Sequence, residues 1–376
     1  MEFTISKNIL LENLNIVGKA LSSKNLIPIL GGIKFDLTKE GLYLTATDND
    51  IIIQTFIKKN IDKNFKIKTE GSLVINGRYI LEIIRKLSDE IININVLDGL
   101  KVLIYTKNSK FNLNAFNKDD YPTINITHSN KKIKLSKTTL KEIINRTSFA
   151  TSTEETRPLL TGVNFSYSNK KLACTATDSY RLSKIIFDLE EVKEEFNFVI
   201  PSRNLIELNK IIIGEDEEIE INIFSNKILF IFDNILFQTK ILNGSYPNTS
   251  NLIPNDYLLK IHVDGENLYN VIDRVSLLTN DREKNIVSLK ILKDQMLITS
   301  NHPEIGKVEE IIDIDIEKNK KVDFKISFSG RYVLDLLKTI TGKKIEILFC
   351  GELSAIIFKD LEYLNVIYLV LPIRTY

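Results

Sequence analysis

The chain has 376 residues, about three times the length of an ordinary compact domain, and its 43% hydrophobic and 26% charged content is that of globular protein. Fifty basic against 49 acidic side chains leave a net charge of +1, so no strong field of either sign selects a partner. Two distant cysteines (Cys174, Cys350) and three scattered histidines (His128, His262, His302) give little material for a disulfide framework, a metal site or a histidine triad, and neither metal nor cofactor is expected.

The N-terminal MEFTISKNILLENL lacks the basic start and unbroken apolar run of a signal peptide. No apolar stretch reaches the roughly 18 residues that span a bilayer. A cytoplasmic protein with no membrane partner is expected.

The first predicted helix, over 10–22, carries Leu10, Leu14 and Val17 on one stripe. From Pro28, PILGGIKFDLTKEGLYLTATDND reads as a strand pair in which Ile33, Phe35 and Leu37 alternate, the period of an antiparallel sheet with one buried face. A second helix, over 76–88, places Ile80, Ile83, Ile84 and Leu87 at i, i+3, i+4 and i+7, and Tyr121-Pro122 closes the unit.

The same order then returns. A helix over 136–148 (Leu140, Ile144, Thr147) precedes PLLTGVNFSYSNKKLACTATDSY from Pro158, where Val163, Phe165 and Tyr167 alternate. A helix over 201–213 follows with Leu205, Leu208 and Ile212, its stripe broken by Asn209, and then Tyr246-Pro247. A third, fainter copy runs from a helix over 264–279 (Leu268, Ile272, Val275) through NIVSLKILKDQMLITSN (Val287, Leu289, Ile291) to a helix over 329–341 (Val333, Leu336, Leu337, Ile340). Gly32 and Gly162, like Asp48 and Asp178, stand 130 residues apart, while Arg78, Arg203 and Arg331 open the second helix of each copy at intervals of 125 and 128.

A repeat found before any other feature fixes the architecture. The chain is α+β, three tandem units of two helices on antiparallel sheet, with domains over 1–125, 126–250 and 251–376. Similar interfaces repeated along a chain suit a curved or closed assembly.

Three such units, with ATDSYRL at 176–182, RPLLTGV at 157–163 and YLVLPIR at 368–374, resemble the bacterial sliding clamps, the beta subunits of DNA polymerase III. The resemblance covers the whole chain. It implies a clamp fold closing as a head-to-tail homodimer into a six-domain ring, with helices facing duplex DNA and sheets outside. It also implies no catalysis, loading by an ATP-dependent clamp loader complex, and tethering of the polymerase III catalytic subunit and other proteins carrying a clamp-binding motif. The chain has no P-loop pattern and is not the loader itself.

Carried over by the resemblance, the partner-peptide cleft comprises Leu160, Thr177, Tyr180, Arg181, Leu182, Pro247, Leu252, Val370, Leu371, Pro372, Ile373 and Arg374. Its apolar residues would anchor a peptide's paired apolar side chains, and its arginines would orient polar groups. Tyr180 stands where histidine occurs in the family, and Asn251 where a basic residue does. For DNA the candidates are Lys19, Arg78, Arg85, Lys86, Lys141, Arg146, Lys210, Arg274 and Lys338 on the helices, with Lys24 after the first. The six helices sum to +4 and the remainder to −3, a weak bias suited to loose, sequence-blind phosphate contacts. The loop TSTEETR at 151–157 matches a DNA-contacting loop but carries Glu154 and Glu155. The fifth helix is net acidic. Phe111 and Leu113 on an edge strand, with Leu277 and Leu278 at a helix end, match the family's dimer interface.

Two other readings stand beside this one. Asp48 and Asp178, each in an Ala-Thr-Asp run, could be a paired-carboxylate enzyme site, although corresponding positions of a repeat are better explained as turn residues. A three-domain scaffold that binds peptides without encircling DNA is the other.

Overall fold

The computed structural model describes residues 1–21, 27–98, 100–122, 129–189, 194–215, 217–254, 256–279, 285–316 and 324–374. Six α-helices lie among them: α1 (Lys7–Val17), α2 (Gly77–Lys86), α3 (Lys137–Thr147), α4 (Ser202–Ile211), α5 (Gly265–Ser276) and α6 (Gly330–Leu337). The apolar stripes are their buried faces: Leu10, Leu14 and Val17, then Leu140 and Ile144, then Leu268, Ile272 and Val275 are all at most 2% exposed.

Each repeat opens with a strand that the helical reading passed over: Glu2–Ser6, Lys132–Ser136 and Leu259–Asp264. These strands run directly into α1, α3 and α5. The order in every copy is therefore strand, helix, strands, helix, three strands.

Sheet hydrogen bonds run from one repeat into the next, so the chain divides into two compact units that cut through the middle copy. The first holds Met1–Leu140 with Arg203–Ile241 and the second Lys141–Ser202 with Leu242–Tyr376. In the first unit the described strands form one thirteen-stranded sheet. Within it Ile51–Lys58 of the first repeat pairs antiparallel with Ile235–Lys240 of the second, Ile53 opposite Phe237. In the second unit a nine-stranded sheet pairs Arg181–Asp188 with Val366–Val370, Leu182 opposite Leu369. A four-stranded sheet of Ile286–Leu292, Gln295–His302, Gly306–Asp313 and Phe324–Ser329 completes that unit.

The Ala-Thr-Asp signature is a hairpin turn made twice. Asp48 Oδ1 accepts the N–H groups of Asp50 (3.0 Å) and Ile51 (2.9 Å), and Asp178 Oδ1 accepts those of Tyr180 (2.9 Å) and Arg181 (3.0 Å). The Thr47 and Thr177 hydroxyls donate to the carbonyls of Ile51 (2.7 Å) and Arg181 (2.6 Å). Asn49 and Ser179 sit at φ 80° and 78°, the left-handed conformation the turn requires. Each aspartate is a turn residue of its own unit, its Oδ1 occupied by two backbone N–H groups, which is the turn role that the repeat suggests.

Candidate partner-binding cleft

The last strand, Val366–Val370, lies between Ile356–Asp360 and Arg181–Asp188. Its pairing sets Val370 beside Arg181, and the chain continues along the same edge, Leu371 N–H donating to the Tyr180 carbonyl at 2.8 Å. Ile373 N–H then reaches the Ser327 carbonyl at 2.7 Å. Two further contacts bring in the 246–253 stretch. Tyr246 accepts the Thr177 N–H at 3.1 Å, which seats Pro247, and Ile253 packs on a buried cluster of Leu182, Ala355 and Leu369, which seats Leu252.

The residues expected at the cleft thus come together in one unit and fall into two sets. Leu160, Thr177, Leu182 and Val370 are buried and form the floor. Tyr180, Pro247, Leu252, Leu371 and Arg374 are exposed and Pro372 and Ile373 half-buried, forming the walls. Tyr180 and Leu252 are each 51% exposed, high for large apolar side chains. A cavity of about 350 Å³ opens at Tyr180, with Thr151, Arg157, Leu160, Arg181 and Tyr332 also among its lining.

Arg181 is held by two carboxylates and two rings. Its Nε donates to Asp178 Oδ2 at 2.9 Å and an Nη to Asp335 Oδ2 at 2.7 Å. Its guanidinium lies 4.5 Å from the Tyr332 ring centre and 5.6 Å from that of Phe149. Phe149, Tyr332 and Asp335 were not foreseen. A signal existed, since an acid follows the helix-opening arginine by four residues in all three copies, as Glu82, Glu207 and Asp335.

Comparison with known proteins decides what this assembly is. Models of the DNA polymerase III beta subunit match in order: the N-terminal domain over residues 1–125, the central domain over 134–248 and the C-terminal domain over 250–374. The chain is 39% identical to the "Beta sliding clamp" of Staphylococcus aureus and 38% to that of Staphylococcus epidermidis, over all of both chains in each case. The chain belongs to the DNA polymerase III beta subunit family. Among solved structures, the Bacillus subtilis DNA polymerase sliding clamp superposes with TM-score 0.95 at 38% identity, and the Streptococcus pneumoniae beta chain with 0.93 at 33%, each with full coverage of both chains. Sliding clamps are non-catalytic processivity factors in DNA replication.

On this clamp the helix-borne basic residues do not all stand alike. Lys19, Arg78 and Lys338 are exposed and Lys141 is half-buried. Arg85, Lys86 and Lys210 are exposed and carry acidic neighbours on their own helices, Glu82 for the first two and Glu207 for the third. Arg274 is exposed and held by Glu310 at 2.7 Å. Lys24 lies outside the described residues. Arg146 is the correction: only 4% exposed, it cannot reach a phosphate. Its guanidinium meets Glu142 at 3.1 Å, the Tyr368 hydroxyl at 3.3 Å and buried Asp360 at 3.6 Å, over the Tyr363 ring at 4.2 Å. The acidic bias of α5 has a local cause. Asp264 caps its N-terminus, accepting Asn267 N–H at 2.8 Å, and Glu266 lies in its first turn, where the helix dipole favours negative charge.

Phe111 and Leu113 lie on the strand Lys110–Phe116, which pairs with Lys101–Tyr105 through residues 110–114. On its other side only Ala115 and Phe116 are paired, so the edge along 110–114 is open among the described residues. Leu277, just after α5, is 77% exposed, and Leu278 is half-buried. No helix among the described residues is long and apolar enough to cross a membrane, and no group of His, Cys, Asp or Glu among them could hold a metal ion.

Proposed function

We propose that two copies of this chain, each with domains over 1–125, 126–250 and 251–376, close head to tail into a ring around duplex DNA in the cytoplasm. The ring tethers the polymerase III catalytic subunit, and an ATP-dependent loader complex places it. Lys19, Arg78, Arg85, Lys86, Lys141, Lys210, Arg274 and Lys338 supply weak phosphate contacts that leave it free to slide. The open edge along Lys110–Asn114, with Phe111 and Leu113, meets the partner copy beside its Leu277 and Leu278, because an uncovered edge strand needs a strand to pair with.

The cleft of Leu160, Thr177, Tyr180, Arg181, Leu182, Pro247, Leu252 and residues 370–374 takes short partner peptides carrying a glutamine and paired apolar residues. The observation that carries this reading is the convergence of three separated stretches on exposed apolar walls over a buried floor. Leu252→Ala and Leu371→Ala test it, since both side chains are exposed and neither holds the fold. Each should weaken a labelled nine-residue peptide with a Gln and a Leu-Phe pair about tenfold or more, with an unchanged melting temperature. Peptide affinity equal to the parent's in both variants would remove the site.

A further inference from the structure

The repeat builds the same pocket twice: each copy carries the arginine that opens its helix, Arg203 or Arg331, but only the second carries one at the turn, Arg181. In the second unit, Asp178, Arg181 and Tyr332 line the cavity of about 350 Å³. At the corresponding positions of the first unit, 130 residues earlier for the turn and 128 for the helix, stand Asp48, Ile51 and Asn204. With Lys19 and Glu207, the counterparts of Phe149 and Asp335, they line a cavity of about 240 Å³.

Both acidic positions persist in the first unit, but nothing joins them. The Ile51 side chain offers no donor, and Glu207 takes Lys210 at 2.7 Å on its own helix. In the second unit Arg181 spans the gap, at 2.9 Å to Asp178 and 2.7 Å to Asp335, between the faces of Tyr332 and Phe149. Tyr332 stacks in turn on Tyr180, ring centres 6.5 Å apart at 23°, so the exposed cleft wall is continuous with the braced arginine. A guanidinium fixed by two carboxylates and two rings has lost its side-chain freedom before a ligand arrives, which lowers the ordering cost of binding. Two carboxylates more than balance its single charge, and of five N–H donors two are used.

We infer that the bracing of Arg181 by Asp178, Asp335, Phe149 and Tyr332 makes the second copy of this pocket the peptide site and leaves the first copy silent, with Asp335 as the positioning residue. The peptide group that Arg181 receives is a neutral acceptor, a backbone carbonyl or a glutamine side chain, because a carboxylate would face two acids already in place. The inference rests on the cleft reading above.

The test is anisotropy of the same labelled Gln-Leu-Phe peptide on the full-length protein, with stoichiometry read by calorimetry. One peptide should bind per chain, and none after Leu252→Ala with Leu371→Ala. Asp335→Asn, which keeps the shape and loses the charge, should weaken binding about tenfold with unchanged dimer mass. Asp335→Glu should recover most of that loss, and Asp335→Asn with Arg181→Ala should be no weaker than Arg181→Ala alone. Unchanged affinity in Asp335→Asn, additive losses in the double variant, or a second peptide bound per chain would each overturn the inference while leaving the cleft in place. A parent protein that binds no peptide would overturn the cleft reading and this inference with it.

Discussion

Tyr246 accepts the backbone N–H of Thr177 on its phenol oxygen at 3.1 Å, tying the Tyr-Pro stretch to the turn that forms the cleft floor. The first repeat does likewise, Tyr121 donating to the carbonyls of Gly32 and Thr45 at 3.4 Å. Burial pushes both phenols above the ordinary tyrosine value, so both stay protonated across the working range. The recurrence of Tyr-Pro in the sequence is therefore the recurrence of a strut.

Removing one strut separates stability from binding. Tyr246→Phe keeps the ring and strands the Thr177 N–H, so unfolding free energy should fall by about 1–2 kcal/mol. Peptide affinity should fall as well, because Pro247 and Thr177 are set by the same bond. Thermal denaturation and peptide anisotropy on one preparation check both.

Arg146 predicts a different outcome from an exposed basic residue. Arg146→Met leaves Asp360, which is fully buried, without its cation, and should cost about 3–5 kcal/mol in urea unfolding. Arg146→Met with Asp360→Leu should recover much of the loss. A surface arginine would show neither effect.

Glu346 gives the pH dependence. Burial works to raise its carboxyl, but hydrogen bonds from Lys260 and His262 and the charges of Lys260 and Lys359 win and hold it below the glutamate value of 4.5. A carboxylate lowered on folding stabilises fully above 4.5 and loses that contribution as pH falls through its folded value. Glu346→Gln should therefore be less stable than the parent at pH 7, by about 1 kcal/mol after screening at the sheet surface. The difference should close as acid titrates the parent, which paired denaturation curves from pH 7 downward would show.

The sequence disclosed what is periodic and local. Stripes such as Leu10, Leu14 and Val17 found the helices, and the alternation of Val163, Phe165 and Tyr167 found the strands. The opening strands escaped because EFTIS and its counterparts are five or six residues long and lead straight into a helix, so the stronger helical period claimed the region. Sheet pairing between repeats, such as Leu182 opposite Leu369, depends on tertiary contact with no local signal. For the same reason Arg146 read as a surface charge: Asp360 and Tyr368 are more than 200 residues away. The cleft residues were legible only through their likeness to a family. The bracing of Arg181 was missed because Phe149, Tyr332 and Asp335 lie on other elements.

The central claim is that the protein holds DNA by enclosing it. The direct measurement is retention on a nicked circular plasmid, loaded by the cognate loader with ATP, before and after a single cut. Enclosure predicts that the protein stays on the circle and leaves the cut DNA. Equal retention on both would mean an ordinary contact-bound complex and would contradict the ring.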